Sequence, residues 1–168
     1  MDFFSLYMRD LQGALGQLDL KQVESMVEIL AEARDGGKQI FLCGNGGSAS
    51  TASHMANDMG KGASLGRSTP FKIIALTDNI PWITALANDL SYEAIFSEQL
   101  RNFAQPGDVL IAISGSGNSQ NVLNAVEVAH AKDMKTIAWT GFGGGKLASM
   151  VDLSIIVDSD HMGRVEDA

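Results

Sequence analysis

The sequence predicts an α/β three-layer sandwich: a five-stranded parallel sheet with helices on both faces, doubly wound, after an N-terminal helical segment. Three observations predict it. Five short apolar runs are spread along the 168 residues. Stretches of helical length, with one apolar face each, separate those runs. Two Gly/Ser-rich loops follow directly on two of the runs, where a strand hands over to a helix.

The elements follow in order. Residues from about Asp2 to Arg34 read as helical, with Val23, Met26, Val27, Leu30 and Ala33 on the helical period. Gly13 and Gly16 weaken the first half, so two helices, or support from a partner subunit, are open readings. Asp35-Gly36-Gly37 stops the segment. The strands are expected at Gln39 to Cys43, Lys72 to Leu76, Val109 to Ile113, Thr136 to Thr140 and Leu153 to Val157. Helices are expected at Ser48 to Lys61, Pro81 to Ala87, Tyr92 to Phe103, Ser119 to Lys132 and Lys146 to Met150. Gly60 to Pro70 and Gly141 to Gly145 are expected to be flexible turns. No repeat or linker divides the chain, so one domain spanning 1–168 is expected.

Composition narrows the function classes. Hydrophobic residues make up 45% of the chain, enough for a sizeable core. The net charge of −8 disfavours nucleic acid and anionic membranes as partners. It also means that a bound anion needs local donors. A lone cysteine, Cys43, leaves no disulfide framework and fits a reducing cytoplasm. Met1-Asp2-Phe3-Phe4 lacks a basic start and a long apolar stretch, so no secretory signal is expected. No apolar run is long enough to span a bilayer.

The loops are Cys43-Gly44-Asn45-Gly46-Gly47-Ser48 and Ser114-Gly115-Ser116-Gly117-Asn118-Ser119. Glycines let a backbone approach a ligand, and helix N-termini supply free N–H groups. Serine hydroxyls and an asparagine amide add donors. The pattern suits one shared site for a phosphorylated molecule. Neither loop has the spacing of an ATPase P-loop or of a dinucleotide fingerprint, so no nucleotide cofactor is expected. Ser48 and Ser119 also suit helix N-caps. Ser114 and Ser116 have no capping duty and are the better evidence for a ligand.

These residues resemble those of the sugar isomerase (SIS) domain family, and within it the phosphoheptose isomerases. The likeness rests on the first loop from Leu42, on Ala87-Asn88-Asp89 with Ile95-Phe96-Ser97, on Pro106-Gly107-Asp108-Val109-Leu110 and on Ile113 to Ser119. Thr140-Gly141, Gly143-Gly144-Gly145-Lys146 and Arg164-Val165-Glu166-Asp167 complete it. The resemblance implies a flavodoxin-like winding and a cytoplasmic homotetramer. The implied enzyme converts sedoheptulose 7-phosphate to an aldose heptose 7-phosphate for surface polysaccharide such as lipopolysaccharide. It implies that Ser48, Ser114, Ser116 and Ser119 hold the phosphate. It implies substrate contacts from Asn45, Gly46, Gly47, Asn88, Asp89 and Glu166. Read alone, Asn88-Asp89 also suits a helix C-terminal turn.

Ketose–aldose isomerisation moves a proton between adjacent carbons, which calls for a carboxylate or imidazole at the carbon and donors at the oxygens. His54 and Asp58 fall four apart, on one helix face. Read alone, they form an ordinary surface pair. The resemblance implies that Asp58 is the catalytic base, although the family carries glutamate there. It also implies zinc in some members, with His54, Asp58 and Glu166 as the ligand candidates here. Glu166 stands where the family usually has glutamine. The family continues into a long helix with a second catalytic histidine, so this sequence is expected to be a shortened version of a longer protein. Two non-catalytic readings are open: a tetrameric scaffold resembling the bacterial DnaA-initiator-associating protein, and a sugar-phosphate sensor.

Overall fold

The computed structural model describes residues 2–168. Helix α1 spans Phe3–Gly16 and α2 spans Leu20–Asp35. The helical segment is thus two helices. Asp2 and Asp19 cap them, accepting hydrogen bonds from the backbone N–H groups of Ser5 and Lys21. The break follows Gly16, where helix propensity is weakest.

Strands β1 (Gln39–Cys43), β2 (Lys72–Ala75), β3 (Val109–Ser114), β4 (Lys135–Thr140) and β5 (Leu153–Ile156) form one sheet, ordered β2-β1-β3-β4-β5. Every neighbouring pair is parallel. Each strand lies within one residue of its expected bounds, because a buried parallel strand needs apolar side chains on both faces. The helices that follow are α3 (Gly47–Asn57), α4 (Ile80–Asp89), α5 (Ser97–Phe103), α6 (Gln120–Ala131), α7 (Leu147–Met150) and α8 (Met162–Asp167). Helix α3 runs on through a π turn over Asp58–Gly62. Short 3₁₀ turns cover Tyr92–Ala94 and Phe142–Gly144.

Alternation along the strands builds two core layers. Phe41, Cys43, Leu110 and Ala112 face α5 and α6, where Phe96, Leu100, Val122 and Val126 pack on them. Ile40, Leu42, Ile111 and Ile113 face α2 and α3, against Leu30, Ala33 and Ala52. At the amino edge of the sheet, buried Asp108 accepts hydrogen bonds from the N–H groups of Gln39 (2.9 Å) and Gln105 (2.8 Å). Asp152 does the same for Thr136 (2.8 Å). These bonds fix the strand starts and leave the opposite edge to the loops.

Both segments expected to be flexible turns are tied down. Ser64 donates to the Met59 carbonyl (2.6 Å) and accepts from Phe71 N–H (2.9 Å), closing the turn after the π segment. Gly141 N–H donates to the Gly115 carbonyl and Leu147 N–H to the Gly117 carbonyl, each at 2.9 Å. The stretch after β4 therefore braces the second Gly/Ser loop.

Strands β1 and β3 are neighbours, and the chain leaves them toward opposite faces, into α3 and α6. Such a reversal of winding opens a crevice at the strand carboxyl ends.

Candidate active site

The crevice holds both loops. A cleft of about 280 Å³ is lined by Asn45, Gly46, Gly47, Ser48, Ser114, Ser116 and Ser119, together with Met162 and Glu166 of α8. Ser114 ends β3, and its hydroxyl lies 3.1 Å from that of Ser119. Ser119 holds the N-cap position of α6 without a side-chain cap bond. Ser48 is not a cap: Gly46 takes that position, and Ser48 lies in the first turn of α3. Ser116 accepts a hydrogen bond from Asn118 N–H (3.2 Å), so its hydroxyl helps shape its own turn. Among the described residues lining the cleft there is no lysine or arginine. An anion here meets neutral donors and two helix N-termini, with the Glu166 carboxylate as the one charged neighbour among the described lining residues.

Asn45 is held by partners the sequence did not point to. Its amide exchanges hydrogen bonds with buried Asn121, at 2.9 and 2.8 Å, and its carbonyl oxygen accepts from Tyr92 OH at 2.9 Å. Asn121 lies just beyond the second loop and Tyr92 far from both. Only Asn121, a polar residue on the inward face of α6, left a trace in the pattern. Asn88 and Asp89 lie elsewhere. They end α4, exposed and outside the cleft, with Asn88 Nδ2 donating to Asp89 Oδ1 at 2.8 Å.

His54 Nε2 and Asp58 Oδ2 pair at 3.0 Å, and both side chains are exposed. His54 borders a second cavity of about 670 Å³, beside the loop cleft and under α8. Ser48, Thr51, Thr140 and Glu166 also line it. The Thr140 hydroxyl is buried without a hydrogen-bond partner. Asp58 lines neither space. Cys43, at the end of β1, is no nucleophile: full burial pushes its thiol up to about 12.

The zinc expectation needs His54, Asp58 and Glu166 together. Among the described residues, no three His, Cys, Asp or Glu side chains form a metal-binding group. A catalytic zinc needs a larger protein ligand set than a pair. As placed, these residues do not fit one.

Helix α8 was not expected as a contributor beyond Glu166. It lies across the carboxyl ends of β1, β3 and β4. A Cβ at Gly47 would meet the Glu166 carboxylate, one at Gly115 the Met162 sulfur, and one at Gly141 the Val165 methyls. Each glycine leaves the space that one α8 side chain fills.

The pattern of the SIS domain family matches residues 4–141. The chain is 41% identical over 150 residues to the phosphoheptose isomerase of Shewanella denitrificans, covering 88% of this chain and 76% of that one. It is 45% identical over 138 residues to that of Rhodospirillum rubrum, covering 82% and 72%. The solved structure of the Neisseria gonorrhoeae phosphoheptose isomerase superposes with a TM-score of 0.87 at 36% identity, covering 98% of this chain and 86% of that one. The chain belongs to the SIS-domain family, and the three relatives just compared are phosphoheptose isomerases.

Proposed function

We propose that this chain is an aldose–ketose isomerase of a phosphorylated heptose, converting sedoheptulose 7-phosphate to its aldose isomer. One observation carries the reading: two serine-bearing loops on adjacent strands open into a single cleft. The phosphate sits on Ser114, Ser116, Ser119 and Ser48 and on the N-termini of α3 and α6. Neutral donors suit a chain of net charge −8, because they bind an anion without reversing the surrounding field.

The sugar end of the substrate reaches into the larger cavity, toward Thr140 and His54. Isomerisation there removes a proton from C1, passes through an enediolate and returns a proton to C2. Asn45, held by Asn121 and Tyr92, keeps one amide hydrogen for a substrate hydroxyl.

We also read the chain as a cytoplasmic homotetramer that supplies heptose for surface polysaccharide. No helix among the described residues is long and apolar enough to cross a membrane. Phe3, Phe4, Met8 and Val27 lie exposed on α1 and α2, which supports burial against further copies. Size-exclusion chromatography with light scattering tests that part; a monomer mass overturns it.

The activity is tested by incubating the purified chain with sedoheptulose 7-phosphate and following the aldose product. Turnover is expected. Binding without turnover would leave a sugar-phosphate sensor, and absence of binding would end both readings.

A further inference from the structure

We propose that Tyr92 is a positioning residue for substrate specificity: its hydroxyl holds the Asn45 amide as a one-way donor toward a sugar hydroxyl beside the phosphate. The assignment deepens the isomerase reading above and rests on it. Tyr92 does not line the loop cleft, whereas Asn45 does. Tyr92 therefore acts through Asn45.

One backbone group sets the direction of every bond in this cluster. Val122 N–H donates to Asn121 Oδ1 at 3.0 Å. A backbone N–H cannot accept, so the oxygen of Asn121, and not its nitrogen, lies on that side. Asn45 Nδ2 donates to the same oxygen at 2.9 Å, and Asn121 Nδ2 donates to Asn45 Oδ1 at 2.8 Å. The paired amides cannot turn over without setting Asn121 Nδ2 against the Val122 N–H. Asn45 Oδ1 then accepts a second hydrogen, from Tyr92 OH at 2.9 Å. Both lone pairs of that oxygen are occupied. What Asn45 keeps for the cleft is one N–H, a donor with no acceptor beside it.

Helix α6 places both partners. Asn121 and Asn124 fall three apart on it, on one face. Asn124 Nδ2 donates to the Glu93 carbonyl at 3.1 Å, and Asn124 Oδ1 accepts from Gln120 Nε2 at 2.7 Å. The helix that presents Asn121 thus also fixes the 3₁₀ turn that carries Tyr92. The two partners differ in burial. Asn121 is buried, so its amide belongs to the fold as well as to the site. Tyr92 is 54% exposed, so its hydroxyl adds little to stability and serves the orientation of Asn45.

A donor of fixed direction suits a sugar hydroxyl better than a phosphoryl group. A phosphoryl group offers several equivalent oxygens, and serine hydroxyls rotate to meet them. A planar amide held at both its oxygen and its nitrogen cannot follow. It is satisfied only by an oxygen in one place, and an analogue lacking that hydroxyl leaves the N–H unpaired. Asn45 lines the same cleft as Ser114 and Ser119, so the hydroxyl it meets lies near the phosphate ester.

Tyr92→Phe, Asn45→Ala and the double variant decide it, in the full chain. Calorimetric titration gives the Kd of sedoheptulose 7-phosphate, displacement titration gives that of inorganic phosphate, and turnover is followed separately. Tyr92→Phe is expected to raise the sugar-phosphate Kd about 3- to 10-fold, the effect of one neutral hydrogen bond, with the inorganic-phosphate Kd within about twofold. KM follows Kd while kcat stays within about threefold. The melting temperature moves by no more than a few degrees. In the Asn45→Ala background Tyr92→Phe has no further effect, because a residue that acts through another is silent once that one is gone. An unchanged sugar-phosphate Kd in Tyr92→Phe overturns the assignment. So does an equal loss for inorganic phosphate, which a distorted loop would produce. Losses that add in the double variant overturn it too, by putting the tyrosine hydroxyl on the substrate itself. A parent that binds sedoheptulose 7-phosphate without turnover overturns the isomerase reading alone, and the same Kd comparison then decides Tyr92. A parent that does not bind it overturns both.

Discussion

The hydroxyls of Ser114 and Ser119 lie 3.1 Å apart, one ending β3 and the other at the N-cap of α6. Neither is spent on capping the helix. Two hydroxyls at this separation can turn from each other to bridge neighbouring oxygens of one phosphoryl group.

Ser119→Ala should therefore weaken binding of a sugar phosphate about 10- to 100-fold, the worth of one hydrogen bond to a charged group. Thermal stability should change little, because the native bond is a single neutral contact at a half-buried position. Calorimetric titration and a melting curve measure both. An unchanged affinity would remove this hydroxyl from the phosphate site.

Asn121 supports Asn45 from a buried position, 3% exposed. Asn121→Ala strips the Asn45 amide of its exchange partner and leaves a small void. A loss of about 1–3 kcal/mol in unfolding free energy is expected. Substrate affinity should fall as well, because Asn45 is then free to rotate. Urea melts and KM measured on the same preparation check the coupling. A variant that loses stability but keeps KM would make Asn121 structural alone.

The two cases show what the sequence could reveal. Ser114 and Ser119 sit within a single six-residue loop, so their convergence was legible from spacing. The five parallel strands followed from five apolar runs and their helical connections, whereas their order in the sheet came from the structure. Asn121 and Tyr92 meet Asn45 across three different elements, and no local period encodes that meeting. Glu166 was named from a resemblance, but its seat over Gly47 depends on α8 folding back over the sheet. Gly47, Gly115 and Gly141 looked like turn glycines, yet each also makes room for an α8 side chain. Asn88 and Asp89, whose role came from resemblance, end a helix outside the cleft.

Tyr7 reaches α8 through its hydroxyl, and Asp167 in turn holds the tyrosine's proton on, raising its pKa from the ordinary value. Tyr7→Phe keeps the ring, including its edge-on packing against His161, and removes only the bond. Melting temperature should move by no more than a few degrees. The last helix should open more often, so its amide protons should exchange with solvent several-fold faster. Hydrogen-exchange mass spectrometry of the C-terminal peptide reads this directly. Equal exchange in both proteins would show that α1 does not hold α8.

Cys43 provides a test of the core at alkaline pH. Its thiol is raised from 9.0 to about 12 by burial at the end of β1. Between those values the unfolded chain releases a proton that the folded chain retains. The folded state then binds more protons, and stability must fall as pH rises. The slope is at most about tenfold in the folding equilibrium per pH unit, and the contribution is fully present below pH 9. Cys43→Ala removes the titrating group while adding a pH-independent cavity cost. The parent's advantage over the variant should therefore shrink steadily from pH 9 upward in paired urea melts. A difference that stays constant across that range would show that Cys43 is not held protonated by burial.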